Sequence, residues 1–392
     1  MHQDVVVLAA VRTAIGEFGK SLCRVAAVDL GAAVLRETLQ RAGVEPAQVD
    51  EVYMGNVIQA GLGQCTARQA ALRAGLPVET PALTFNRVCA SGLTAVNLAA
   101  TVIAAGRAEV MLAGGMENMS QGPYAVQRAR WGCRLGDQKF VDLTVHDGLW
   151  DAFNDYHIAI TAENLAEKYG ISREAQDRFA LDSHRKAVQA VAQGRFIDEI
   201  VGVETKDGLF AVDERPRPDT SLDKLAQLPT VFKADGTVTA GNASGINDGA
   251  AALLLSSKKR AKELGIAPLA RIRSFAASGV DPQFMGIAPV TAIKRALAQA
   301  NLKLSDIDLI ENNEAFAAQS LAVIKELSID EALLNPNGGA IALGHPIGAS
   351  GTRILVTLLH AMKDRDISLG LAALCVGGGQ GVATIVERCD GL

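Results

Sequence analysis

Cys89 lies in the run Asn86-Arg87-Val88-Cys89-Ala90-Ser91-Gly92, between a strand-like stretch and the start of an apolar helical one. A thiol there meets unsatisfied backbone N–H groups and the positive end of a helix dipole, which favour the thiolate and pull its pKa below the free value of about 8.5. Small residues at 90–92 let a substrate approach the sulfur. Position alone fits a buried structural cysteine as well. His345 occupies a second run, Asn337-Gly338-Gly339-Ala340-Ile341-Ala342-Leu343-Gly344-His345-Pro346-Ile347-Gly348-Ala349-Ser350-Gly351. A lone histidine is commonly no more than a hydrogen-bonded polar residue. Together with Cys89, it permits base-activated nucleophilic catalysis.

Two further runs add to this pair. In Cys375-Val376-Gly377-Gly378-Gly379-Gln380-Gly381 a thiol ends an apolar strand, and the glycines after it expose N–H groups able to hold an oxyanion. The same run also reads as a hairpin turn or bulge with an incidental cysteine. In Asn312-Asn313-Glu314-Ala315-Phe316, Asn313 either caps a helix or positions a water. Phosphate-loop and dinucleotide signatures fail on spacing at Gly16-Glu17-Phe18-Gly19-Lys20-Ser21 and at 377–381. The six cysteines (23, 65, 89, 133, 375 and 389) are scattered without metal-ligand or disulfide-framework spacing, which leads us to expect no metal and a reducing cytoplasm.

The elements that must position these residues come in two similar sets. Short apolar runs alternate with helical patterns at 5–11, 28–41, 51–54, 67–74, 82–85, 90–105 and 109–113, and again at 270–275, 288–300, 308–312, 315–327, 348–362, 369–376 and 382–387. An offset of 258 relates Asp50 to Asp308 and sets His345 opposite position 87, beside Cys89. We read an internal duplication of one α/β unit, with Cys89 and His345 facing each other near its pseudo-twofold axis. Residues of about 116–250 differ in character, hold both tryptophans and three of the six histidines, and read as an inserted loop domain. The helix 90–105 has no polar face and should be buried on all sides. Two duplicated sheets sandwiching such helices give a layered α-β-α-β-α fold, with domains 1–269 (carrying the insert) and 270–392.

Composition bounds the function. The 392 residues fit two large domains or two plus an insertion, and 49% hydrophobic against 21% charged residues excludes intrinsic disorder. With only 4% aromatics and 38 glycines, the core must be aliphatic and tightly turned. A net charge of −5 and the absence of a basic run argue against nucleic-acid binding. The apolar runs 93–105 and 369–376 are too short to span a membrane, and neither a signal peptide nor a lipidation motif is expected.

Taken in order, the four runs resemble the thiolase family, in its acetyl-CoA acetyltransferase branch, and the likeness extends over essentially the whole chain. Supporting stretches are Val11-Arg12-Thr13-Ala14-Ile15-Gly16, Gly114-Gly115-Met116-Glu117-Asn118-Met119-Ser120, Tyr156-His157 with Thr161-Ala162-Glu163-Asn164, and Thr239-Ala240-Gly241-Asn242-Ala243-Ser244-Gly245. The resemblance implies reversible Claisen condensation of two acetyl-CoA to acetoacetyl-CoA and CoA. Cys89, activated by His345, would carry the acetyl group, and Cys375 would remove the α-proton of the second acetyl-CoA. One oxyanion hole would combine His345 with a water on Asn313, and the other the N–H groups of Cys89 and Gly377. Ser244 and Arg217 match coenzyme A contacts, and Leu149, His157, Ala243, Met285, Ala315 and Phe316 match the pantetheine channel. No cofactor is implied beyond the CoA thioesters themselves. A homotetramer joined through 120–140 is implied, with a place in fatty acid metabolism.

Three positions depart from the usual family pattern: Ala90 replaces a Gly, Ile158 a Met and Pro218 a His. The rival readings are a 3-ketoacyl-CoA thiolase of broader chain length, a carrier-protein ketoacyl synthase and a non-catalytic acyl-CoA-binding protein. Two thiols in one pocket could also oxidise to a Cys89–Cys375 disulfide if their Cα atoms lie within about 7 Å.

Overall fold

The computed structural model describes residues 3–389. Its spine is an eleven-stranded mixed sheet to which the two halves of the sequence contribute mirror-ordered sets. From one edge run Ala82–Phe85, Glu51–Gly55, Val110–Asn118, Asn247–Ser257 and Val5–Thr13, and then Ala270–Gly279, Gln380–Arg388, Leu369–Val376 and Leu309–Asn312. The halves join where Val6 and Val7 pair antiparallel with Arg271 and Ala270. The two expected sheets are thus one hydrogen-bonded path, and that path closes around a shared inner core.

Side-chain alternation assigns the layers. Along Leu369–Val376, Ala372, Leu374 and Val376 point into the inner core, while Leu371 and Ala373 point into a second core on the outer face. The inner core holds the helices Ser91–Ala104 and Ile347–Asp364 between residues from both half-sheets. Ala27–Ala42 and Thr66–Arg73 cover the outer face of the first half, and Ala288–Ala300 covers that of the second. The result is the five-layer α-β-α-β-α arrangement.

The all-round burial expected of helix 90–105 is corrected. Leu98 is 38% exposed and Thr101 is also open to solvent. Among the described residues, the face of Ser91–Ala104 that carries Leu98 and Thr101 is open to solvent. Ile347–Asp364 is enclosed along 347–359, opening only in its last turn, and its buried set includes Thr352, Arg353 and Thr357.

The insertion leaves the sheet after Asn118 and returns at Asn247, because the flanking strands stay paired through Asn118–Asp248 and Glu117–Gly249. It contributes the helices Ala159–Tyr169 and Arg173–Ala192. A buried ion cluster pins it to the first strand. Arg12 Nε lies 2.5 Å from Glu199 Oε1, and its two terminal nitrogens donate to the carboxylate oxygens of Asp213 at 2.8 and 2.9 Å. All three side chains are nearly fully buried, and the bidentate geometry offsets the cost of their desolvation. Among the described residues, no helix is long and apolar enough to cross a membrane.

Candidate active site

Cys89 is reached through a tight turn between Ala82–Phe85 and Ser91–Ala104. Val88, just before it, has φ 42°, a left-handed conformation that a β-branched residue adopts only under strain. Ser91 braces the turn, its Oγ accepting from Arg87 N at 2.9 Å and donating to Val88 O at 2.7 Å. Cys89 itself is 2% exposed. Burial pushes its thiol up to about 11, against the pull of the N–H groups of Gly377 and of Cys89 itself. The lowered pKa expected at a helix N-terminus is therefore overturned: desolvation outweighs the dipole, and the resting sulfur carries its proton.

The imidazole that faces this problem is held neutral. His345 N donates to Asn247 Oδ1 at 2.9 Å, and its Nδ1 lies 2.5 Å from Ser350 Oγ. Ser350 gives its only proton to Pro346 O at 2.8 Å, so it accepts from Nδ1–H and leaves the lone pair on Nε2. That Nε2 is buried and bonds nothing. Burial and then the nearby Arg353 charge lower the His345 pKa to about 3. Nε2 is therefore the nitrogen whose lone pair is open to a proton, while the lowered pKa makes the neutral imidazole a weak base.

Cys375 is fully buried at the end of its strand, and burial with the charge of Cys89 raises its thiol well above the ordinary value. The hairpin reading of the following run holds, since Gly377 to Gly379 turn between two strands with Gly378 and Gly379 at φ of 79° and 81°, and the Gly377 N–H is within reach of the Cys89 sulfur. Asn313 is 0% exposed, and neither atom of its amide group has a partner. Rather than capping, it precedes the helix Ala317–Leu327 by several residues.

Cys89 and His345 line one cavity of about 250 Å³, together with Leu149, His157, Ala243, Ser244, Met285, Ala315 and Phe316. Cys375 stands behind that lining in an apolar cluster with Ile158, Met285 and Phe316. Arg217 does not line the cavity. Its side chain is 58% exposed and 3.8 Å from Glu17. Its near neighbour Arg215 does line it, donating to Ile341 O and Ala243 O at 2.9 and 3.2 Å. His157 stacks on Phe232 with ring centroids 4.3 Å apart, and burial lowers its pKa to about 4.

Sequence reasoning missed the supports. Glu117 accepts from Val57 N, Ile58 N, Asn56 Nδ2 and Gly348 N, so one carboxylate ties the loop after Glu51–Gly55 to the start of Ile347–Asp364. Burial raises it to about 7 against those four donors. Glu117 and Ser350 both stand inside runs quoted for other residues, but nothing local marks their partners. Among the described residues, no cluster of His, Cys, Asp or Glu could hold a metal, and Cys89 and Cys375 are free thiols.

Models of the thiolase N-terminal and C-terminal domains match residues 5–259 and 266–388. The chain belongs to the thiolase family. It is 58% identical to the acetyl-CoA acetyltransferase of Pseudomonas aeruginosa, over 98% of this chain and 100% of that one. The crystal structure of the Bacillus anthracis acetyl-CoA acetyltransferase superposes with a TM-score of 0.97 at 48% identity, covering 99% of both chains. That of human mitochondrial 3-ketoacyl-CoA thiolase in complex with CoA also reaches 0.97, at 46% identity, over 99% of this chain and 98% of that one.

Proposed function

We propose that this chain is an acetyl-CoA C-acetyltransferase, an acyltransferase joining two acetyl-CoA into acetoacetyl-CoA and CoA through acetyl-Cys89, and running reversibly. The observation that carries the reading is that Cys89 and His345 line one cavity, with His345 Nε2 buried and without a hydrogen-bond partner. The Cys89 proton passes to His345 as the sulfur attacks the thioester carbonyl. Departing CoA thiolate takes the proton of Cys375, which burial otherwise keeps neutral, and so leaves Cys375 as the thiolate base. That base removes the α-proton of the second acetyl-CoA. The enolate attacks acetyl-Cys89, and the released sulfur recovers its proton from His345, so every proton is returned.

Two polar sites serve the developing charges in this reading. The enolate oxygen lies between His345 and a water on Asn313, and the acetyl oxygen between the N–H groups of Cys89 and Gly377. Ser244 and the exposed Arg217 contact coenzyme A, whose pantetheine arm passes Leu149, His157, Ala243, Met285, Ala315 and Phe316. The residues supply acid, base and nucleophile, so no resident cofactor is needed. We keep 1–269 and 270–392 as the two domains, and place the enzyme in the cytoplasm, in fatty acid metabolism, as a homotetramer. Exposed Trp131, Leu135 and Phe140 in the 120–140 stretch support that assembly.

The test is acetoacetyl-CoA thiolysis by wild type and Cys89→Ala with mass spectrometry of the intermediate. We expect an acetyl adduct on Cys89 and loss of turnover by at least about 10³-fold in the variant, as for removal of a catalytic nucleophile. Turnover surviving in Cys89→Ala would sink the assignment. A broader-chain 3-ketoacyl-CoA thiolase is favoured by the human neighbour and by Ile158 in place of Met; a chain-length series of ketoacyl-CoA substrates separates the two.

A further inference from the structure

Glu314 follows Asn313 directly, is 2% exposed and takes no part in the steps above. Its Oε2 accepts from Ser183 Oγ at 2.7 Å and from Ile341 N at 3.2 Å, and its Oε1 from Asn335 Nδ2 at 2.8 Å. The direction of each bond is set by other contacts. Ile341 offers a backbone N–H. Asn335 Nδ2 also donates to Asn312 O at 2.9 Å while its Oδ1 accepts from Asn312 N at 2.9 Å, which fixes how the amide lies. Ser183 Oγ accepts from Gly339 N at 3.1 Å, leaving its own proton for Glu314. Three donors and no acceptor surround this side chain. A carboxylate accepts all three, whereas an amide would turn a donor against a donor, and these bonds work against the burial that raises the Glu314 pKa.

These bonds join three stretches that are distant in sequence: the inserted helix Arg173–Ala192, the turn Asn312–Glu314 and the loop 335–341 that runs on to His345. The loop closes tightly over the carboxylate, since a Cβ on Gly339 would lie 2.1 Å from Glu314 Cδ. Asn313 sits between two clamped neighbours. Its backbone N donates to Ala373 O at 2.9 Å, but its amide group bonds nothing, so its aim is imposed from either side.

We infer that Glu314 is a positioning residue for the reaction: its carboxylate, tied to Ser183, Asn335 and Ile341, holds Asn313 in the placement relative to His345 that an enolate oxyanion site requires. This rests on the reading that Asn313 and His345 serve the enolate oxygen. Glu314 acts through Asn313 and touches no substrate.

Glu314→Gln keeps the shape and brings an NH₂ against the fixed donors. Full-length Glu314→Gln, Asn313→Ala and the double variant are compared by deuterium exchange of the acetyl-CoA α-protons, by thiolysis kcat and KM, and by circular dichroism. We expect Glu314→Gln to lower exchange and kcat roughly 100-fold, the size of one lost oxyanion-hole donor, with KM within about threefold. The double variant should be no slower than Asn313→Ala alone, because both changes act through one group. If Glu314→Gln does not fold, Ser183→Ala replaces it, with an expected loss of about fivefold and the same non-additivity. Wild-type exchange in a folded Glu314→Gln, or losses that multiply in the double variant, would overturn the inference. Undiminished exchange in Asn313→Ala alone overturns the oxyanion reading beneath it, and shows this without touching Glu314.

Discussion

A buried thiol and a neutral imidazole line one cavity, and burial sets the resting state of both. The burial that raises Cys89 to about 11 also lowers His345 to about 3, so neither group is charged at rest. In the proposed mechanism, Ser350 decides which imidazole nitrogen is the base, since its bond to Pro346 O leaves it to accept from Nδ1–H. Ser350→Ala frees Nδ1, and steady-state kinetics should show kcat lower by about tenfold or more with KM little changed; an unaltered kcat would remove Ser350 from the mechanism. The same imidazole sets a stability trend. Its folded pKa lies below the unfolded value, so its contribution is complete above about pH 6.5 and is lost as pH falls towards 3. At pH 5 the loss is about 2 kcal/mol at about 1.4 kcal/mol per unit. Buried Glu117 opposes this, because its raised pKa favours the protonated fold below about 7. Urea unfolding of wild type and His345→Asn at pH 7 and pH 5 isolates the histidine, and the wild type should lose about 2 kcal/mol more than the variant.

At the scale of elements, the site depends on how the insertion is fastened. Arg12 on the first strand holds Glu199 and Asp213 of the insertion, and Glu199 Oε1 also accepts from Thr357 Oγ1 on the enclosed central helix. Arg12→Met removes one member of a buried ion cluster and leaves two carboxylates uncompensated. We expect a loss of about 3–5 kcal/mol, measured by urea unfolding; a change under about 1 kcal/mol would mean that the carboxylates find other partners. Several elements were legible beforehand. Ala82–Phe85, Leu369–Val376 and Ala288–Ala300 stand where the apolar pattern placed them, because local periodicity and local geometry agree there. The exposure of Leu98 was not legible, since helical patterning reports which faces are apolar and not how many neighbours the layer supplies.

For the whole molecule, duplication explains the position of the site. Each half places one group just before its central helix, Cys89 ahead of Ser91–Ala104 and His345 ahead of Ile347–Asp364, which the offset of 258 anticipated. One cavity then receives one group from each half. The apolar residues of 120–140 lie outside any core: Trp131 is 82%, Leu135 95% and Phe140 74% exposed. On the proposed homotetramer, replacing these three by Ser should halve the assembly from four chains to two in light scattering, while leaving melting of the individual chain nearly unchanged. A tetramer that survives the replacement would place the joining surface elsewhere.

The amino-acid sequence alone determined the α/β class and singled out Cys89, His345, Cys375 and Asn313 as the candidate chemical residues, because each stands in a distinctive local run. Tertiary structure alone decided their states. Whether Cys89 is thiol or thiolate depends on desolvation by side chains from both halves, and the His345 tautomer depends on where one serine proton points. Glu314 was visible as a letter in a motif, but its partners Ser183, Asn335 and Ile341 are 131, 21 and 27 residues away. Hydrogen bonds of that span leave no periodicity in the chain, and only folding brings their donors to one carboxylate.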